Sequence, residues 1–181
     1  DLDYSPLLND AGHPAGVLAI VKETTGKVLA QRRIGEEQER LRQMFEQAPG
    51  FIAMLRGPEH VFEMTNAAYM QLIGHRDIQG LPIRQALPDL AGQGFYELLD
   101  RVYASGESYV GHGLPAVLQR HPDRAPEHRY VDFLFHPVRD AGGAISGIFV
   151  QGLDVTERTR AEQRRRASDE LFRSFAEAMP N

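Results

Sequence analysis

The sequence predicts an α+β fold: a five-stranded antiparallel sheet with short helices on one face, flanked by helical connectors. Three stretches carry that prediction. In residues 130–151, Val131, Phe133 and Phe135 alternate with Tyr130, Asp132 and Leu134, and Ile148 and Val150 alternate with Gly147, Phe149 and Gln151. Alternation on both sides of Asp140-Ala141-Gly142-Gly143 reads as a β-hairpin. Phe95, Leu98, Leu99, Val102 and Tyr103 recur at helical spacing and stop at Ser105-Gly106, which describes an amphipathic helix. Upstream, the apolar runs 51–56 and 60–64 are split by Gly57-Pro58-Glu59, a second hairpin signature.

The other elements follow in chain order. Residues 4–22 hold two short apolar runs around Asn9-Asp10-Ala11-Gly12. Alone, such a hairpin exposes apolar faces and unpaired edges, so it is expected to be covered by a partner chain or by the following domain. Residues 35–47 are rich in Glu, Gln and Arg, and Ile34, Leu41, Met44, Phe45 and Ala48 leave one narrow apolar seam before Pro49-Gly50 stops the helix. Thr65 or Asn66 can cap a short helix carrying Tyr69, Leu72 and Ile73, with Gly74 as its stop. Residues 75–93 contain Gly80, Pro82, Pro88 and Gly92 and have room only for short helical turns. Residues 109–119 read as a strand, and 121–127, with Pro122 and Pro126, as a polar loop before the last hairpin.

At 181 residues with 42% hydrophobic content, the chain has apolar material for a core. A net charge of −5 argues against nucleic acid as a partner. No apolar run approaches the roughly 18 residues a membrane span needs. The absence of Cys excludes disulfides, thiolate metal ligation and Cys nucleophiles, and suits a cytoplasmic setting. A start at Asp1 without Met leads to the expectation of a piece of a longer chain.

The sequence also repeats itself. Residues 1–50 align without a gap on residues 132–181, bringing Asp1 onto Asp132, Pro6 onto Pro137, Gly12 onto Gly143, Gly16 onto Gly147 and Thr25 onto Thr156. Glu23 takes the place of Asp154, and Pro49 that of Pro180. A hairpin, a junction and a helical connector are thus used twice. The expected organisation is the closing hairpin of a preceding repeat (1–25), a helical connector (26–47), one complete domain (48–157), and a connector leading into a further repeat (158–181).

Several stretches resemble the PAS family: Asn66-Ala67-Ala68-Tyr69-Met70-Gln71-Leu72-Ile73-Gly74 after the second strand, Gly80-Leu81-Pro82-Ile83-Arg84-Gln85-Ala86-Leu87-Pro88 for the short central helices, residues 94–106 for the long helix, and Asp154-Val155-Thr156 for the closing motif. The resemblance covers residues 48–158 in order. It implies a sensory or signal-transducing module of a multidomain bacterial sensor, most often a histidine kinase in a two-component system. It also implies a homodimer through the flanking helices and the N-terminal hairpin, with a coiled-coil seam, and contacts with other domains of the same chain. It further implies that Asp154 anchors the outgoing connector to the sheet by a salt bridge, with Thr156 supporting the turn. The alternative is a ligand-free PAS dimerisation or docking scaffold.

Residues with reactive or ligating side chains form no catalytic or metal-binding pattern. His13, His60, His75, His112, His121, His128 and His136 show no helical metal-ligand spacing and read as surface or loop histidines. No Gly-x-Ser-x-Gly elbow accompanies the serines, so the fragment is not expected to be an enzyme. The run from Arg158 to Arg166 is interleaved with Glu157 and Glu162 and reads as a solvated connector face. Against the family's cofactors, the missing Cys removes covalent flavin and coumaroyl adducts. The absence of His from residues 95–104 argues against His-ligated haem. No cofactor is therefore predicted, with non-covalent flavin or a small metabolite left open. A candidate pocket between sheet and helices is walled by Met54, Phe62, Met64, Tyr69, Ile73, Leu87, Phe95, Leu99, Val102, Phe133, Phe135, Ile148 and Val150, residues that equally describe a packed core. Arg84, Arg101 and Tyr130 offer partners for a carboxylate.

Overall fold

The computed structural model describes residues 2–21 and 25–178. It divides into two units, Asp1–Met44 and Phe45–Asn181. In the second unit, strands β3 (Phe51–Arg56), β4 (Val61–Thr65), β5 (Tyr109–Leu118), β6 (Glu127–Arg139) and β7 (Ile145–Asp154) form one antiparallel sheet in the order β4-β3-β7-β6-β5. The last strand lies at the centre, beside the first, with Phe51 opposite Gly152. That pairing brings the entry and the exit of the domain side by side. It needs glycine at 152, where a Cβ would overlap the Phe51 ring and the Asp132 carbonyl oxygen.

Helices α2 (Ala67–Ile73), α3 (Ile83–Ala86) and α4 (Phe95–Ser105), with a 3-10 turn at Pro88–Leu90, cover the inner face. Strand parity builds the core between the two layers: Phe51, Ala53 and Leu55 on β3, Val131, Phe133 and Phe135 on β6, and Ile148 and Val150 on β7 are buried. Parity also corrects two expected pocket residues. Met54 lies between inward-facing Ala53 and Leu55 and points the other way. Met64 would share a face with Phe62, but the register shifts between Met54 and Leu55, so that Leu55 opposes Phe62 while Met54 opposes Met64. One extra residue in β4 moves Met64 to the outer face, where it is 49% exposed.

In the first unit, β1 (Leu2–Leu8) and β2 (Pro14–Val21) form an antiparallel hairpin, followed by α1 (Thr25–Glu46), whose final residues lie in the second unit. The β1–β2 turn reproduces the β6–β7 turn bond for bond. Asn9 N–H donates to the His13 carbonyl, Gly12 N–H to the Asn9 carbonyl, and the Ala11 and His13 amides to Asn9 Oδ1. In the second turn Asp140 N–H donates to the Ala144 carbonyl, Gly143 N–H to the Asp140 carbonyl, and the Gly142 and Ala144 amides to Asp140 Oδ1. Gly12 and Gly143 both take the left-handed conformation, φ 78° and 84°. The register shifts between Leu7 and Leu8 in one hairpin and between the aligned Val138 and Arg139 in the other. The aligned pairs involving Asp1, Glu23 and Pro180 lie outside the described residues. Along α1, Ile34, Leu41 and Met44 are 58%, 61% and 63% exposed, so the seam is open to solvent. No helix among the described residues is long and apolar enough to cross a membrane.

Candidate functional site

A cavity of about 60 Å³ lies between the sheet and the helices of the second unit. Of the residues expected there, Tyr69, Ile73, Leu87, Phe95, Leu99, Phe133, Phe135 and Val150 line it. Phe62, Val102 and Ile148 are buried in the surrounding core and stand one layer back, while Met54 and Met64 face away. Sequence reasoning missed Phe51, Leu55, Leu72, Ile83, Leu90, Ala116, Leu118 and Val131. For some of these the signal was present: Val131 shares parity with Phe133 and Phe135, and Leu55 with Phe51. The Ala116 and Leu118 contribution depends on the irregular register of β5 between Gly111 and Leu114, which no alternation reveals. Phe133 organises the wall, with ring centroids 4.5 Å from Phe135, 5.6 Å from Phe95 and 5.9 Å from Tyr109.

Among the described residues, Tyr69 is the sole one lining the cavity with a polar side-chain atom. Its ring meets Phe51 and Phe62 edge-on, and burial pushes its phenol pKa well above the ordinary tyrosine value, so the hydroxyl stays protonated. This lining does not fit a flavin: an isoalloxazine edge carries several polar atoms that would be desolvated against one hydroxyl, and the volume is too small for the ring. Nor do Arg84, Arg101 or Tyr130 reach the lining. Arg84 instead donates to Asp100 Oδ2 at 2.7 Å and stacks on Tyr96. His60, read as a surface or loop histidine, lies in the turn between β3 and β4 but is 1% exposed, with Nε2 2.9 Å from Asp100 Oδ1. Among the described residues, no group of His, Cys, Asp and Glu side chains is placed to hold a metal ion.

Helix α2 supplies Tyr69, Leu72 and Ile73 to the cavity wall and is held at both ends by polar contacts. At its start, the buried Asn66 uses its whole amide. Oδ1 accepts from the Ile52 and Tyr69 amides at 2.9 and 3.0 Å, and Nδ2 donates to the carbonyls of Gly50 and Phe45 at 2.8 and 3.2 Å. The Ala67 amide donates to the Glu46 carboxylate at 3.1 Å. Phe45 and Glu46 are the end of the incoming connector, so these contacts tie it to α2.

At the other end, Gly74 adopts φ 80°, and a Cβ there would overlap the Arg120 carbonyl oxygen. Arg120 donates to the Gln71 carbonyl and, at 3.1 Å, to Glu127. Glu127 also accepts from Arg129, which donates to Asp154 Oδ2 at 3.2 Å. Asp154 Oδ1 accepts from the Thr156 amide at 3.0 Å and from its hydroxyl, and the Thr156 oxygen accepts from the Tyr130 amide at 2.9 Å. Asp154 therefore makes a salt bridge to the sheet through Arg129, and the buried Thr156 closes the turn into α5 (Thr156–Ala178). The bonds from Arg129 and Arg120 hold the Glu127 carboxyl below its usual pKa. Neither Arg120 nor Glu127 belongs to a recognisable motif, so only the folded strands reveal them.

One antiparallel sheet, closed by short helices over an apolar chamber and continuous with a helix leaving its central strand, defines the α+β class of single-sheet cup domains. The PAS fold model matches residues 45–160, and the chain belongs to that family. Similar solved structures include the PAS domain of a protein from Colwellia psychrerythraea, at 14% identity and TM-score 0.52 over 66% of this chain and 98% of that one. An RNA-binding Light-Oxygen-Voltage receptor matches at 19% identity and TM-score 0.57, over 74% of this chain and 38% of the other. A VqmA–ligand–DNA complex of Vibrio cholera matches at 26% identity and TM-score 0.52, over 64% and 50%. These last two proteins extend well beyond the shared domain.

Proposed function

We propose that this chain is a cytoplasmic, non-enzymatic sensory module that relays the state of its cavity to its flanking helices. It works as a homodimer within a multidomain sensor, with a histidine kinase as the output favoured by the sequence resemblance. The observation that carries the reading is the placement of α2. It walls the cavity through Tyr69, Leu72 and Ile73. It is bonded to the incoming connector through Asn66 and Glu46, and to the outgoing one through Arg120, Glu127, Arg129 and Asp154. A ligand that displaces α2 changes the bonds at both exits, and by linkage a change in either connector alters the cavity. The similar VqmA protein was solved in complex with a ligand, which supports a ligand-responsive reading. The scaffold reading is favoured by the cavity's small volume and shares the dimer.

The test is Arg120→Met, which keeps a long apolar stem and removes the guanidinium. Amide hydrogen exchange is expected to rise both in α2 and in the first turn of α5, where Thr159 N–H donates to the Val155 carbonyl at 2.9 Å. Faster exchange in α2 with an unchanged first turn of α5 would overturn the relay.

A further inference from the structure

We infer that the cavity takes a small, uncharged molecule, apolar except for one hydrogen-bond acceptor that receives the Tyr69 hydroxyl. This rests on the reading of the cavity as the sensory site and names its ligand class. Every other lining side chain is a hydrocarbon, from Phe51 and Leu55 on the sheet to Leu87 and Leu99 on the helices. A carboxylate, phosphate or ammonium brought there would lose its hydration with no counter-charge to replace it. The chamber instead rewards dispersion contacts, as apolar protein cavities that stay dry and bind benzene or xenon do.

Size narrows the class further. A cavity that admits benzene has about 150 Å³, against about 60 Å³ here, which leaves room for roughly three to five non-hydrogen atoms. So few atoms set a limit of about micromolar affinity at best. Selectivity falls to the phenol. Among the described residues no hydrogen bond from its hydroxyl to a protein atom is found, and burial keeps the proton on. A phenol O–H without a protein acceptor favours the ligand that supplies one, by about fivefold for a single neutral hydrogen bond. A short ketone or aldehyde has that shape, with an alkyl body and one carbonyl oxygen.

The experiment uses the whole chain and follows the methyl resonances of Ile73, Leu99 and Val150 by NMR with three probes. Xenon is purely apolar, 2-butanone adds a single acceptor, and butyrate has a similar size and a charge. Expected are shifts with xenon and with 2-butanone, none with butyrate, and a roughly fivefold weaker 2-butanone affinity in Tyr69→Phe with xenon binding unchanged. Failure of xenon and 2-butanone alike to bind the native chain would overturn the cavity as a ligand site. Binding of butyrate as tight as 2-butanone, or a 2-butanone affinity unaffected by Tyr69→Phe, would leave the cavity standing and overturn the ligand class.

Discussion

Replacing Asn66 by Ala removes the residue that joins the entry of the domain to α2. The side chain is fully buried and every polar atom on it is bonded. Loss of an N-cap acceptor costs about 1 kcal/mol. The part-buried Ile52 amide, which donates to Asn66 Oδ1 at 2.9 Å, would lose its acceptor, at about 1–3 kcal/mol. The sum is about 3 kcal/mol. With a urea dependence of about 2 kcal/mol per molar for a domain of this size, the unfolding midpoint should fall by about 1.5 M. Asn66→Asp separates the two roles. Aspartate caps a helix as well as asparagine, so a residue that served only as a cap would tolerate it. Here the substitution turns a carboxylate oxygen toward the carbonyls of Gly50 and Phe45 in place of a donor. That position raises the folded-state pKa of the new carboxyl. The variant should therefore be destabilised at pH 7 and recover as the pH falls toward 5 and the group protonates. An Asn66→Ala midpoint within about 0.5 M of the parent, or an Asn66→Asp variant as stable as the parent at pH 7, would refute this account.

Two further predictions concern charge and the connector. Burial opposes the charge on Asp89, but the paired bonds from Arg76 at 2.6 and 2.8 Å and the Gln119 amide outweigh it and hold its pKa below the usual carboxylate range. A depressed folded-state pKa contributes stability that is present above about pH 4 and fades as the pH falls through the folded value. Asp89→Asn should cost about 2 kcal/mol at pH 7, and its urea midpoint should converge on the parent's as the pH falls through the depressed folded value; a gap that stays constant with pH would refute the assignment. Inserting two residues at Gly35, where an added Cβ would meet nothing within 4 Å, turns Ile34 by about 200° relative to Leu41 and Met44. Light scattering should then show loss of the proposed dimer, and an unchanged mass would rule out that seam as its basis.

The elements were legible because each is written locally. Period two marks β3, β6 and β7, helical spacing marks α4, Asn66 and Gly74 bracket α2, and Asp154-Val155-Thr156 marks the junction. The repeat was legible too, since the Asn9 and Asp140 turns draw their bonds from residues within a few positions. Two kinds of information were absent. Which side of a strand faces inward depends on register, and one inserted residue in β4 reversed the side taken by Met64. Which side chains meet across the fold depends on strand order. With β7 central and β5 at an edge, Arg120 and Glu127 come together with Arg129 and Asp154, and Phe51 reaches the same chamber as Phe133. By itself, the sequence determined the secondary structure, the family and the junction, because backbone preferences and hydrophobic periodicity act over a few residues. The chamber, its single hydroxyl and the bonds at both ends of α2 were decided by the tertiary structure, because they join residues separated by tens of positions.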